Sequence, residues 1–118
     1  MNEHVAGLKE ALDYTRLYRD QIFVVKLGGE VVASPEALAG VAVQIALLES
    51  LSIRVVVVHG GGPQASELSR RLGIEPEVVA GRRVTTPEVL EVAKMVYAGR
   101  INVDVLAALR AHGVPAVG

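Results

Sequence analysis

A lysine, an arginine and two runs of glycine carry the chemistry this sequence offers. Lys26 stands two residues ahead of Gly28-Gly29, and His59 leads directly into Gly60-Gly61-Gly62-Pro63. Glycine places no side chain between the backbone and a ligand. Free backbone N–H groups at a helix start, together with the positive end of the helix dipole, suit an anion, phosphate first among them. Lys26 adds a point cation able to neutralise charge on a transferring phosphoryl group. Arg83, beside Arg82 in Gly81-Arg82-Arg83-Val84-Thr85, can clamp a carboxylate through two parallel hydrogen bonds. Plainer readings stand against each: tight turns without a ligand, a surface lysine at a strand end, a solvated pair of arginines. His59 suits a structural bond to the turn backbone better than a ligand. Neither glycine run has the spacing of Gly-x-x-x-x-Gly-Lys-Ser/Thr or Gly-x-Gly-x-x-Gly.

The elements that must position these residues are written in the flanks. Ile22–Leu27 and Ile53–Val58 are β-branched, apolar runs of the kind buried in a parallel sheet. Both end at glycine turns, and ligands of open parallel sheets sit off the carboxyl ends of strands. Two such ends, one holding a cation, imply a single polyphosphate-sized cleft. Between them Ser34-Pro35-Glu36 has the cap, the proline and the acid of a helix start. That helix runs to about Ser50, with Leu38, Val41, Ala42, Ile45 and Leu48 as its buried stripe. A strand–helix–strand unit of this kind crosses right-handed and makes the strands parallel.

Further helices are expected over 63–72, ended by Gly73, over 87–98 after a second cap–proline–acid start at Thr86-Pro87-Glu88, and over 101–112. Gly99 is expected to interrupt, Glu75–Ala80 to be extended, and Val114–Gly118 to begin a strand. Residues 1–20 read as an amphipathic helix, with Val5, Leu8, Leu12, Thr15 and Tyr18 on one side and Leu17 among the charges. Either it packs on its own domain with one exposed leucine, or it meets a second neighbour such as another subunit.

With 118 residues, the chain holds one domain at most. Half of it is apolar and 3% aromatic, a composition suited to a layered α/β core. A net charge of −1 points to neither nucleic acid nor an anionic membrane as partner. The absence of cysteine excludes disulfides, thiolate metal sites and cysteine nucleophiles. No signal peptide and no membrane span are legible, so a cytoplasmic protein is expected.

Lys26-Leu27-Gly28-Gly29, His59-Gly60-Gly61-Gly62-Pro63-Gln64 and Gly81-Arg82-Arg83-Val84-Thr85 together resemble the amino-acid kinase family, and within it the acetylglutamate kinases. The likeness runs from about Leu8 to Gly118. The first two motifs are shared across the family; the Gly-x-Arg-Val-Thr loop is more particular to that branch. The resemblance implies a three-layer α/β/α sandwich with a mainly parallel sheet, residues 21–118 forming the acceptor-binding N-terminal lobe. It implies transfer of the γ-phosphoryl group of ATP to the side-chain carboxylate of N-acetylglutamate in arginine biosynthesis, with Mg2+ arriving on the nucleotide. Lys26 would stabilise the transition state, Gly28 and Gly29 would bind phosphate, and Gly61 and Gly62 would hold the substrate and the transferred group. Arg83 would bind the substrate α-carboxylate. A homo-oligomer is implied: a dimer, or a hexamer joined through residues 1–20 and inhibited by arginine.

The family's nucleotide site, a second lysine, an asparagine and an organising aspartate belong to a C-terminal half that is not in these residues. The expectation is therefore a lobe of a longer protein, or one completed by partners. The rivals are a relative acting on glutamate, aspartate, an aminoadipate derivative or carbamate, and a binding lobe that senses a ligand without catalysis.

Overall fold

The computed structural model describes residues 2–118. A helix, α1 (Glu3–Tyr18), leads into strand β1 (Ile22–Leu27), a short helix α2 (Gly29–Ala33), helix α3 (Pro35–Ser50) and strand β2 (Arg54–His59). Helix α4 (Gly62–Arg71), a hairpin of β3 (Val78–Val79) and β4 (Arg82–Arg83), and helix α5 (Pro87–Lys94) follow. A π-helical stretch (Met95–Ile101) then joins α5 to α6 (Asn102–Ala111).

The expected α/β fold with a parallel sheet is present. β1 and β2 pair in parallel, Lys26 opposite Val58 and Leu27 opposite His59. Alternation along each strand sends Val25, Leu27, Val55 and Val57 into one core with Leu38, Ala42, Ile45, Val96, Val105 and Leu109. The other face carries Ile22, Val24, Lys26, Val56 and Val58, all exposed. The described residues thus supply a sheet and a helical layer on one of its sides.

The predicted caps form. Ser34 Oγ accepts from the Ala37 N–H at 3.2 Å, and Thr86 Oγ1 from the Val89 N–H at 3.3 Å. Each satisfies an N–H that the first helical turn leaves open. Gly73, at φ 72°, ends α4, and the next N–H, of Ile74, reaches back to Ser69 O at 2.9 Å.

Three features differ from the sequence reading, and a fourth has no counterpart in it: Glu30–Ala33 lies within α2, which is too short to show a helical period. Gly99 does not interrupt its helix; the backbone widens to a π-helix and continues into α6. Arg82 and Arg83, read as loop, form β4 against β3, the tight turn being Ala80-Gly81 with φ of 50° and 76°. Two positive φ values at a two-residue turn match the twist of a hairpin. Val114–Gly118 makes no strand pairing. The Arg110 guanidinium takes the Ala116 carbonyl at 2.9 and 3.1 Å, and the Ala116 N–H turns back to Val114 O. This segment instead lines a groove of about 690 Å³ beside β2. As for α1, none of its residues is buried; packing against its own domain is limited to its end, where the Tyr18 ring meets Phe23 edge-on.

Candidate phosphate-binding mouth

The parallel strands deliver their glycine turns side by side. The last paired residues are Leu27 and His59, and the Gly60 N–H then donates to Leu27 O at 3.2 Å. From there each chain turns into a helix, Gly28 capping α2 and Gly61 capping α4. As first-turn residues, Gly29 and Gly62 have no intrahelical acceptor for their N–H groups, and no loop hydrogen bond uses them. Where a Cβ would stand on Gly28 or Gly62 there is open space.

Packing requires Gly61 and crowds Gly29. A Cβ on Gly61 would lie 2.6 Å from Tyr97 Cε1 and closer still to Ile101 Cδ1. The π-helical stretch therefore seats two side chains, four positions apart, directly on this turn. A Cβ on Gly29 would lie 3.2 Å from Pro63 Cδ. Beside that contact Gln64 Nε2 donates to Gly29 O at 2.8 Å. Sequence reasoning assigns Gln64 no function, because its partner is 35 residues away and nothing local signals the pair.

Lys26 is exposed at the end of β1, two residues from Gly28 and opposite Val58. Among the described residues it has no carboxylate within ion-pair distance; the two ion pairs, Glu67–Arg70 and Glu91–Lys94, lie within α4 and α5. The Arg70 hydrogen bond holds the exposed Glu67 carboxyl below its ordinary value. His59 Nδ1 lies 3.0 Å from Gly60 O. A carbonyl only accepts, so the hydrogen is on Nδ1, and the ring serves the turn backbone as expected.

Arg83 stands apart from the glycines but is tied to their helix. Its Nη1 donates to Ser66 Oγ at 2.7 Å. Ser66 is four residues along α4 from Gly62, on the same side of the helix. Arg82 makes no side-chain hydrogen bond among the described residues. The structure thus joins Gly28, Gly29, Gly61 and Gly62 in one mouth, with Lys26 at its strand edge. Arg83 is on a separate hairpin one helical turn away.

Similar proteins point the same way. A model of the amino acid kinase family matches residues 21–118. Acetylglutamate kinase of Myxococcus xanthus is 50% identical over 113 residues, which are 96% of this chain and 37% of that protein. The acetylglutamate kinase of Symbiobacterium thermophilum is 44% identical over 116 residues, 98% of this chain and 40% of that one. Among solved structures, N-acetylglutamate synthase from Neisseria gonorrhoeae, complexed with coenzyme A and N-acetyl-glutamate, superposes with a TM-score of 0.75 at 31% identity. That match covers 98% of this chain and 27% of the synthase. The chain accordingly spans no more than two-fifths of the length of these relatives. With the family model covering all but the N-terminal helix and its connection, this chain belongs to the amino acid kinase family.

Proposed function

We propose that this chain is the acceptor-side lobe of an acetylglutamate kinase. A side-chain carboxylate oxygen of N-acetyl-L-glutamate attacks the γ-phosphorus of ATP, the bond from that phosphorus to the β-phosphate oxygen breaks, and ADP leaves with the electron pair. The observation that carries the reading is the interlocked mouth. The Gly60–Leu27 and Gln64–Gly29 hydrogen bonds tie together two strand ends whose first-turn glycines, Gly29 and Gly62, have N–H groups that no loop hydrogen bond among the described residues uses.

In this reading the chain's own residues supply placement and charge. Gly28 and Gly29 bind phosphate oxygens through backbone N–H groups. Gly61 and Gly62 hold the acceptor and the group in flight. Lys26 neutralises charge that builds on the phosphoryl oxygens, which is worth most in the transition state. Arg83 grips the α-carboxylate, which does not react. Mg2+ arrives on the ATP phosphates and neutralises part of their charge. Little covalent chemistry is left for the protein, since a loose phosphoryl transfer depends mainly on position and field. Residues 1–20 join copies into an oligomer, because α1 offers Leu8, Leu12, Tyr14 and Leu17, all exposed among the described residues. An assembly joined in this way, a hexamer, is inhibited by arginine through the helix that leads into the Lys26 strand. Among the described residues no helix is long and apolar enough to cross a membrane. The reading places the reaction in the cytoplasm.

The test, on this lobe joined to the nucleotide-binding half that the reading requires, is ADP release and hydroxylamine trapping of the acyl phosphate with a panel of acceptors: N-acetylglutamate, glutamate, aspartate, aminoadipate and carbamate. Product with N-acetylglutamate well above the others is expected; a preference for another acceptor sinks the assignment. A second reading, a ligand-binding lobe without phosphoryl transfer, is favoured by the structural likeness to a protein named as a synthase rather than a kinase. Calorimetric binding of N-acetylglutamate without any acyl phosphate formed would select it.

A further inference from the structure

We infer that Gln64 is a positioning residue that sets the gap between the two glycine turns, so that one polyphosphate chain engages both. The inference rests on the phosphate-binding reading of the mouth, and three observations support it. Two cross-links straddle Gly28: Gly60 N–H to Leu27 O on one side, and Gln64 Nε2 to Gly29 O on the other. The first is the end of the sheet ladder and is made by backbone alone. The second is made by a side chain and is the one a substitution can remove. The contact is also close-fitted, since Pro63 packs where a Cβ of Gly29 would stand. The first turn of α4 is thereby pressed against the first turn of α2.

The third observation is an apparent flaw. Gln64 Oε1 is buried and has no hydrogen-bond partner among the described residues. Rotating the amide by half a turn does not cure this, because Oε1 would then face the Gly29 carbonyl oxygen, two acceptors with no hydrogen between them. The donor end is fixed by Gly29, and the acceptor end is left orphaned. A methionine would fill the same space with no polar atom of its own to strand, but it would take the donor from the Gly29 carbonyl. The amide is there for the Gly29 carbonyl it holds. Fixing that carbonyl fixes the peptide plane it shares with the Glu30 N–H, and through the φ and ψ of Gly29 at the helix start it constrains the Gly29 N–H beside it.

Gln64→Met separates this inference from a merely structural contact. Its melting temperature should fall less than that of Gln64→Ala, because the packing of the stem is kept. Inorganic pyrophosphate is the probe of the mouth, followed by the backbone amide resonances of Gly29 and Gly62. In the wild type both should shift along one isotherm. In Gln64→Met the apparent Kd should rise about tenfold, with Gly29 responding less than Gly62. Turnover should fall about 10–100-fold with both KM values within threefold, the loss expected when reacting groups are misplaced by about 1 Å. Gln64→Ala, which removes the stem as well, should show the same kinetic split with a lower melting temperature. Identical pyrophosphate isotherms for wild type and Gln64→Met overturn the inference, as does a wild type in which pyrophosphate moves neither glycine. Coupled pyrophosphate binding in a protein that forms no acyl phosphate would leave the positioning intact and overturn the kinase assignment instead.

Discussion

The glycine-turn mouth and the β3–β4 hairpin are built on opposite plans. At the mouth, two turns from distant parts of the chain are joined by a backbone bond, a side-chain bond and the close Pro63–Gly29 contact, and Tyr97 and Ile101 leave no room for a Cβ at Gly61. At the hairpin, every residue from Glu75 to Thr85 is exposed. Among the described residues, one side-chain hydrogen bond, Arg83 to Ser66, ties it to the body. In the proposed function, the glycine turns are therefore set before a ligand arrives, and the hairpin arginine that grips the α-carboxylate is not. That division suits the chemistry assigned to each. Charge developing on a phosphoryl group is stabilised best by dipoles that need not reorganise. A carboxylate that only has to be gripped can be met by an arm that closes on it.

Substitutions on the two sides should fail in different ways. The largest effect belongs to Lys26. Lys26→Ala should lower kcat by roughly 10²–10³, the usual loss for one charge-stabilising donor. Both KM values should change far less, as steady-state kinetics will show. A near-normal kcat would remove Lys26 from the transition state and with it the claim of a preformed mouth. Next is Arg83. Arg83→Ala should raise KM for N-acetylglutamate about 10–100-fold, the worth of hydrogen bonds to a charged group, and leave KM for ATP unchanged. Arg82→Ala is the control in the same strand, with an effect within about twofold on the scale of an exposed charge. Greater sensitivity at Arg82 would shift the hairpin's register by one residue. The smallest effect on catalysis belongs to α1. Deleting residues 1–20 should leave kcat within about twofold, because no hydrogen bond among the described residues joins α1 to either region. Light scattering should nevertheless show a smaller assembly, and an arginine titration a weaker inhibition. A kcat lost with the helix would make α1 a third part of the site.

Much of the mouth is legible in the sequence, because its parts are local. The bounds of β1 are those its apolar run predicts, and those of β2 differ by one residue. Ser34 and Thr86 cap the helices they precede. Pro63, after three glycines, marks the start of α4. What escapes is either too short or too distant. A five-residue helix such as α2 shows no period. Ala80 gives no sign of the left-handed backbone that pairs Arg82 and Arg83 with Val79 and Val78, since alanine takes that conformation only when its surroundings impose it. The π-helical stretch is hidden because Gly99 reads as a breaker, whereas the pitch is set by seating Tyr97 and Ile101 on Gly61. The Gln64–Gly29 and Arg83–Ser66 bonds span 35 and 17 residues, and no sequence period announces either. Val114–Gly118 has the composition of a strand, but a strand needs a partner, and Arg110 takes a carbonyl that pairing would use.

The bareness of α1 has a thermodynamic consequence. A 16-residue segment is near the shortest length at which a helix survives alone in water, and helices of this kind draw their stability from packing rather than propensity. With one Asn2 cap and one aromatic contact at Tyr18, α1 holds its shape only as far as something else lies along it. Its helicity is thus a gauge of association. Diluting the protein should melt this segment first, with no change in the sheet, and circular dichroism would read assembly as a loss of helix.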